Sequence, residues 1–200
     1  MRKININEIG SLDLKGRTIA FPTDTVFGVG AMISDLEAIE KIYSLKKRDY
    51  SKPLAVLISS VDELYDLVSD VDLLGKVDKF WPGAITFVFK KKNINSKVTG
   101  GLDTVGIRIP KSKIALEILK KFGPLAVTSV NFSGESSAEE LQEVLKFDID
   151  YVVTNKVKSG NIASTVVDIS TDPPTILREG TISFKELQKE FPNIRKKRID

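Results

Sequence analysis

Short apolar runs of strand length alternate with segments whose apolar residues return every three or four positions, through most of the chain. Residues 17–21 read as an early strand, stopped by Pro22. Ser34-Asp35-Leu36-Glu37 has the form of a capping box, and Leu36, Ile39, Ile42 and Tyr43 then fall on one helical face that ends in basic residues. Residues 54–58 form a continuous apolar strand, Ser60-Val61-Asp62-Glu63 opens another helix, and a further helix runs to about Phe80. Trp81-Pro82-Gly83 is a hard turn, after which residues 85–89 and 105–109 predict neighbouring strands. Ile114, Leu116, Ile118 and Leu119 mark a helix over 112–122, ended by Gly123-Pro124, and residues 125–129 then enter the interior. Ser137-Ala138-Glu139-Glu140 predicts a capped helix, 151–153 and 165–169 strands, and Ser183-Phe184-Lys185-Glu186 the start of a terminal helix. The last six residues are expected to fray. This order of elements predicts an α/β fold with a mixed sheet.

Composition narrows the chemistry. A chain of 200 residues with 42% hydrophobic and 28% charged content is sized for one globular domain with a well-buried core. The polar start predicts no secretory signal, and no apolar run reaches membrane-spanning length, so a cytoplasmic protein without membrane contact is expected. The absence of Cys excludes disulfides and thiolate chemistry, and the absence of His removes Ser-His-Asp triads and nearly all zinc sites. Catalysis must therefore rest on Lys, Arg, carboxylates, hydroxyls and backbone amides. The net charge of +3 is mild, yet cations gather at Lys46-Lys47-Arg48, Lys90-Lys91-Lys92 and Arg195-Lys196-Lys197-Arg198. Such runs suit phosphates or RNA, or simply a solvated face.

Five stretches place hydroxyls and fixed charges at the ends of predicted strands, where α/β sheets hold ligands. Pro22-Thr23-Asp24-Thr25-Val26-Phe27-Gly28 packs three polar side chains into a turn, which is equally an Asx or ST turn. Lys46 to Leu54 brings Arg48 and Lys52 beside a buried strand, an arrangement that an anion would neutralise. The helix macrodipole accounts for Lys46 and Lys47 without one, though poorly for Lys52. In the stretch from Thr104 to Pro110, Arg108 interrupts an apolar strand, and an inward Arg needs either a protein Asp or a ligand carboxylate. Thr128-Ser129-Val130-Asn131-Phe132-Ser133-Gly134 and the region from Ser164 to Gly180, with Arg178, complete the set. No P-loop is present, and Gly28-Val29-Gly30 lacks the third glycine and the helix of a dinucleotide fingerprint.

In this order the stretches resemble the YrdC-like threonylcarbamoyl-AMP synthase family over about residues 16–180. Pro22 to Gly28 is similar to its P-T-D-T-V-Y-G signature, Lys46-x-Arg48 with Lys52-Pro53-Leu54 to its K-x-R motif, and Ser129-x-Asn131 to its S-x-N motif. Phe80-Trp81-Pro82-Gly83 with Thr86, Arg108-x-Pro110, Ser164 to Asp168 and Arg178-x-Gly180 match further family blocks. The resemblance implies a twisted mixed sheet with flanking helices around a large concave basic cavity holding ATP and L-threonine. The domain would span 1–200, with a C-terminal helix and basic tail over 181–200, as in the short form of the family. The implied reaction joins threonine and bicarbonate to an N-carboxylated amino acid that attacks the α-phosphorus of ATP, releasing pyrophosphate. A chain without His or Cys can support it, since a substrate carboxylate is the nucleophile.

By resemblance, Arg48, Lys52, Thr104, Ser129, Ser137 and Arg178 would hold ATP, with Lys46 and Asn131 completing the signatures and Lys46 and Arg48 closest to the chemistry. Thr25, Arg108 and Ser164 would hold threonine. Mg2+ is expected with the nucleotide, but no carboxylate cluster for a protein-held metal is evident. A tRNA or double-stranded RNA contact and downstream threonylcarbamoyl-transferase proteins are the implied partners. The chain departs from the pattern at Phe27 for Tyr, Asp49 for Pro, Ala84 for Pro, and Leu57 where some members carry His. Two other readings stay open: a non-catalytic RNA binder using the same basic surface, and a paralogue acting on another carbamoyl substrate.

Overall fold

Alternating inward and outward residues, most of them β-branched, small or aromatic, build one mixed sheet of 11 strands. The computed structural model describes residues 1–132, 137–138, 140–155 and 162–197. The strands are β1 (Arg2–Ile4), β2 (Ile19–Pro22), β3 (Phe27–Met32), β4 (Ala55–Leu57), β5 (Ile85–Lys90) and β6 (Thr104–Arg108). They continue with β7 (Leu125–Ser129), β8 (Tyr151–Val153), β9 (Thr165–Asp168), β10 (Thr175–Arg178) and β11 (Arg195–Lys196). Their order across the sheet is β1-β8-β2-β3-β7-β4-β6-β5-β9-β10-β11. β4 lies between β7, which is antiparallel to it, and β6, which is parallel.

Among the described residues, two helices exceed two turns. α1 (Leu36–Lys46) turns Ala38, Ile39, Ile42 and Tyr43 inward, and α5 (Lys113–Phe122) does the same with Ala115, Ile118 and Leu119. α2 (Leu64–Leu67), α3 (Leu74–Val77), α4 (Ser96–Thr99), α6 (Leu141–Val144) and α7 (Phe184–Glu190) are shorter. Among the described residues no helix is long and apolar enough to cross a membrane.

The two faces of the sheet differ. One carries Val29, Ala31, Val56, Phe87, Val105 and Ile107 into the larger core, which α1 covers with Ile39, Ile42 and Tyr43. The other carries Leu57, Leu125 and Val127 under Ala115, Ile118 and Leu119 of α5 in a smaller core. Register extends this second face: Ala55 pairs with Gly106 and Val127, and Leu57 with Arg108 and Leu125. Because alternate residues share a side, Thr104, Gly106 and Arg108 stand beside Ala55, Leu57 and Ser129. Beyond the cover of α5, Ala55, Thr104, Gly106, Ser129, Val88 and Val166 are only half-buried.

Several expected elements shift. Asp35, not Ser34, caps α1, accepting from Ala38 N at 3.1 Å, and its other oxygen accepts from Gly16 N at 2.5 Å. Ser60 makes no cap bond, while the Glu63 carboxylate accepts from Ser59 N at 3.0 Å and also from the Ser59 hydroxyl. Ser137 does not cap a helix: α6 starts at Leu141 with a capping box between Glu140 and Glu143. At α1 the charged Asp35 side chain takes the capping bond expected of Ser34. Ser112 and Ser183 do cap α5 and α7 as their spacing predicts. The expected fraying fails at residues 195 and 196, which pair with β10, and Arg198 lies outside the described residues.

Candidate functional site

One group of motif residues gathers where β7 ends and β6 begins, at the leading edge of β4. Lys46, in the last turn of α1, is 1% exposed. Its ammonium donates to Ser129 O at 2.5 Å, Asn131 O at 2.6 Å and Asn131 Oδ1 at 2.7 Å, which uses all three of its N–H groups. The Ser129 hydroxyl also donates to Asn131 Oδ1, at 2.6 Å. Lys47 adopts the left-handed conformation that ends α1, turning the chain so that Arg48 lies along the next loop. There the Arg48 guanidinium donates to Lys52 O at 3.2 Å and Pro53 O at 2.9 Å. Asp49 accepts from Ser51 N at 2.8 Å and so builds the tight turn that precedes the exposed Lys52. Thr104 is half-buried at the start of β6.

A second group forms at the other end of β6. Arg108 is 6% exposed and its guanidinium is fixed on three sides. It donates to Gly83 O at 3.0 Å, to the Thr25 hydroxyl at 2.9 Å and to Asp24 Oδ1 at 2.6 Å. Asp24 is the carboxylate partner that an inward Arg requires. The Thr23 and Thr25 hydroxyls are 3.0 Å apart, and Thr23 also donates to Val26 O at 2.7 Å, so the turn between β2 and β3 locks itself. Ser164 is buried just before β9, with its hydroxyl 3.1 Å from that of Thr86. The Arg178 guanidinium donates to Ser164 O at 2.9 Å and to its hydroxyl at 3.2 Å. Gly180 permits this contact, because a Cβ there would stand 2.2 Å from Ala163 O.

The electrostatics follow from burial. Desolvation pushes the Lys46 ammonium down to about 8, with repulsion from Arg48 adding to it. Desolvation is also the leading cause lowering Arg48 and Arg108, and Asp24 partly restores the latter. Although Arg178 is exposed along its length, desolvation of its guanidinium and then the like charge of Arg108 lower it as well. That repulsion puts the two guanidinium groups in one neighbourhood.

The expected residues thus divide. Lys46, Arg48, Ser129 and Asn131 assemble at one end with Thr104 and Lys52 nearby, and Thr25, Arg108 and Ser164 sit at the other. Arg178, expected with ATP, lies on Ser164. Ser137 is half-buried on the strand side of α6 and Ser133-Gly134 lie outside the described residues. Asp24 and Thr86 join the second end although neither was on the expected list. The signal for Asp24 was present in the polar turn it occupies, and that for Thr86 in a hydroxyl within an apolar strand. Leu57 is buried beside Arg108 in register, and Phe27 packs into the larger core. A groove of about 650 Å3 lies elsewhere and is acidic, lined by Glu37, Glu40, Asp148 and Asp150 among others. Gly28 and Gly30 serve packing, since a Cβ on either would meet a Val127 methyl at 2.8 Å.

The family model for Sua5, YciO and YrdC, described as "Telomere recombination", matches residues 13–180. The threonylcarbamoyl-AMP synthase of Pyrococcus abyssi is 35% identical over 190 residues, covering 90% of this chain and 55% of that protein. The enzyme of that name from Bacillus subtilis is 34% identical over 192 residues, covering 92% and 55%. The chain therefore spans about half the length of these curated relatives. The crystal structure of P. abyssi Sua5 complexed with L-threonine superposes with a TM-score of 0.92 at 30% identity, covering 98% of this chain and 63% of that one.

Proposed function

The chain belongs to the Sua5, YciO and YrdC family, and we propose that it acts as a threonylcarbamoyl-AMP synthase, making threonylcarbamoyl-AMP and pyrophosphate from L-threonine, bicarbonate and ATP. Residues 1–200 are read as one YrdC-like domain whose half-open sheet face forms the floor of a basic concavity. The observation that carries the reading is β6 itself. Its first and last residues, Thr104 and Arg108, share one face about 13 Å apart along the strand, and each stands at the end where one group of motif residues gathers. That span suits two substrates lying end to end.

At the first end Arg48, Lys52, Thr104, Ser129 and Ser137 hold the nucleotide. Lys46 and Asn131 fix the position of Ser129 beneath it. At the other end Thr25, Arg108 and Ser164 hold threonine. Arg178, resting on Ser164, is suited to the junction, where a phosphate of ATP meets the amino acid. The threonine amine and bicarbonate condense with loss of water to N-carboxy-L-threonine. One carbamate oxygen then attacks the α-phosphorus, the bond to the β-phosphate oxygen breaks, and pyrophosphate leaves with both electrons of that bond. The protein's part is positioning and cationic stabilisation of phosphoryl charge, which Arg48, Lys52 and Arg178 supply without a protein nucleophile. Among the described residues no group of three or more acidic, His or Cys side chains is placed to hold a metal. Mg2+ is read as arriving with the nucleotide, as MgATP. The product would feed tRNA threonylcarbamoyladenosine synthesis through a downstream transferase in the cytoplasm, with tRNA itself a further contact.

The test is incubation with ATP, L-threonine and labelled bicarbonate, following label in threonylcarbamoyl-AMP together with pyrophosphate. Label and pyrophosphate that both require threonine support the reading. No product beside an active relative overturns it. Salt-sensitive RNA binding without threonine-dependent nucleotide binding would point instead to an RNA-binding role.

A further inference from the structure

Arg108 and Asp24 form a buried ion pair that leaves donors and an acceptor unused on its open side. A guanidinium has five N–H groups. Gly83 O, the Thr25 hydroxyl and Asp24 Oδ1 take one each, so two remain. On the carboxylate, Oδ1 is engaged, whereas Oδ2 has no partner among the described residues, and the side chain keeps 16% exposure. The turn that presents it is stiff, since Thr25 N and Val26 N both donate to the Thr23 hydroxyl, at 3.1 and 3.3 Å. Asp24 is thus a fixed anion at the mouth of a site otherwise dominated by Arg108 and Arg178.

Charge geometry says what such an anion is for. In an α-amino acid the ammonium and the carboxylate hang on the same carbon. A carboxylate received by Arg108 therefore brings the ammonium close to the Arg108 guanidinium, with the like charge of Arg178 acting on the same end, and it is repelled unless a carboxylate receives it. Asp24 is the carboxylate in contact with Arg108. Of the other acids nearby in sequence, Glu179 is taken by Lys196 and Phe184 N, and Asp168 accepts from Ser170 N and its hydroxyl on one oxygen and is not paired with Arg108.

Resting on the reading that this end takes an amino acid, we propose that Asp24 is its specificity residue for the α-ammonium group: Arg108 receives the substrate carboxylate on its two remaining N–H groups and Asp24 Oδ2 receives the ammonium. The site then selects α-amino acids against the corresponding acids that lack the amine. A merely structural Asp24, whose task is to orient Arg108, predicts no such selectivity.

The experiment measures dissociation constants of the protein saturated with a non-hydrolysable ATP analogue, for L-threonine and for 3-hydroxybutanoate, which is threonine without its α-amino group. The unaltered protein is expected to favour threonine by about 10- to 100-fold, the range for a charge-assisted hydrogen bond. Asp24→Asn keeps a neutral side chain of the same shape. It is expected to cut that preference to about threefold or less by weakening threonine alone. Equal weakening of both ligands, with the preference intact, assigns Asp24 a purely structural role and overturns the proposal. Equal affinity of the unaltered protein for the two ligands also overturns it, and needs no variant to fold. Nucleotide binding with no affinity for either ligand is a separate result, and it rejects the amino-acid reading on which the proposal stands.

Discussion

Lys46 carries its charge where almost no water reaches it. With the ammonium lowered from an ordinary 10.5 to about 8, the buried cation costs about 3 kcal/mol at neutral pH, against the three short hydrogen bonds that hold it. The direction with pH follows. Below about 8 the folded and unfolded chains both keep the proton and the full cost is felt. From about 8 to 10.5 only the unfolded chain keeps it, so this residue's contribution to stability rises with pH. Measured by denaturant titration, the unaltered protein should gain about 3 kcal/mol relative to Lys46→Met between pH 7 and pH 10.5. A pH-independent difference would show that Lys46 titrates normally. Arg108 makes a different prediction. Arg108→Ala strands Asp24 as a nearly buried charge and should cost about 3–5 kcal/mol of stability, so it cannot report cleanly on binding. Arg108→Lys keeps the cation and loses the fork. It should raise the threonine requirement about tenfold or more while leaving the nucleotide affinity within about twofold, as steady-state kinetics and calorimetry would read.

At the scale of elements, small residues and caps do the positioning. Gly180 lets the chain after β10 press against Ala163 and Ser164, and Gly180→Ala would push a methyl into Ala163 O. A stability loss of roughly 1–3 kcal/mol and a raised threonine requirement are expected together, because Ser164 and Arg178 must move. Asp35→Ala serves as the contrast. It removes both the α1 cap and the tie to Gly16, and should lower the denaturation midpoint by the equivalent of about 1–2 kcal/mol with nucleotide affinity unchanged. The helical faces of α1 and α5 were legible in the sequence because burial on one side repeats every three or four residues. β3 was not, since its Gly28 and Gly30 read as loop residues. Their purpose, room for the Val127 methyls of β7, depends on a partner about 100 residues away that no local pattern reveals. The cap of α1 was misread at Ser34 because the adjacent Asp35 carboxylate binds the backbone donor more strongly, whereas Ser60 holds its cap position without a side-chain bond and α6 starts from Glu140 rather than Ser137.

For the molecule as a whole, register is what unites the site. The motif residues could be named from the chain, but not that Arg108 would find Asp24, which is 84 positions away, or that Arg178 would rest on Ser164 rather than at the other end. Those pairings depend on β6 standing three strands from β3 and on β9 following β5 in the sheet. Residues 195–197 of the basic tail, expected to be loose, instead lie along β10 at the edge of the sheet. Arg195 N donates to Pro174 O, Lys197 N to Ile176 O, and Lys196 pairs with Glu179. Ending the chain at Ile194 should therefore speed amide exchange along β10 and weaken threonine use, while β2, β3 and β7 exchange as before. Unchanged exchange in β10 would mean that this edge pairing contributes nothing.

The contact of Arg178 with Ser164 also bears on how the protein is made. Arg48, Lys52, Thr104, Ser129 and Asn131 have all been synthesised by residue 131, whereas Ser164 and Arg178 come later in the chain. On a ribosome the residues proposed to face phosphate would emerge first, and the pocket proposed for the smaller ligand could not close until Arg178 had been made.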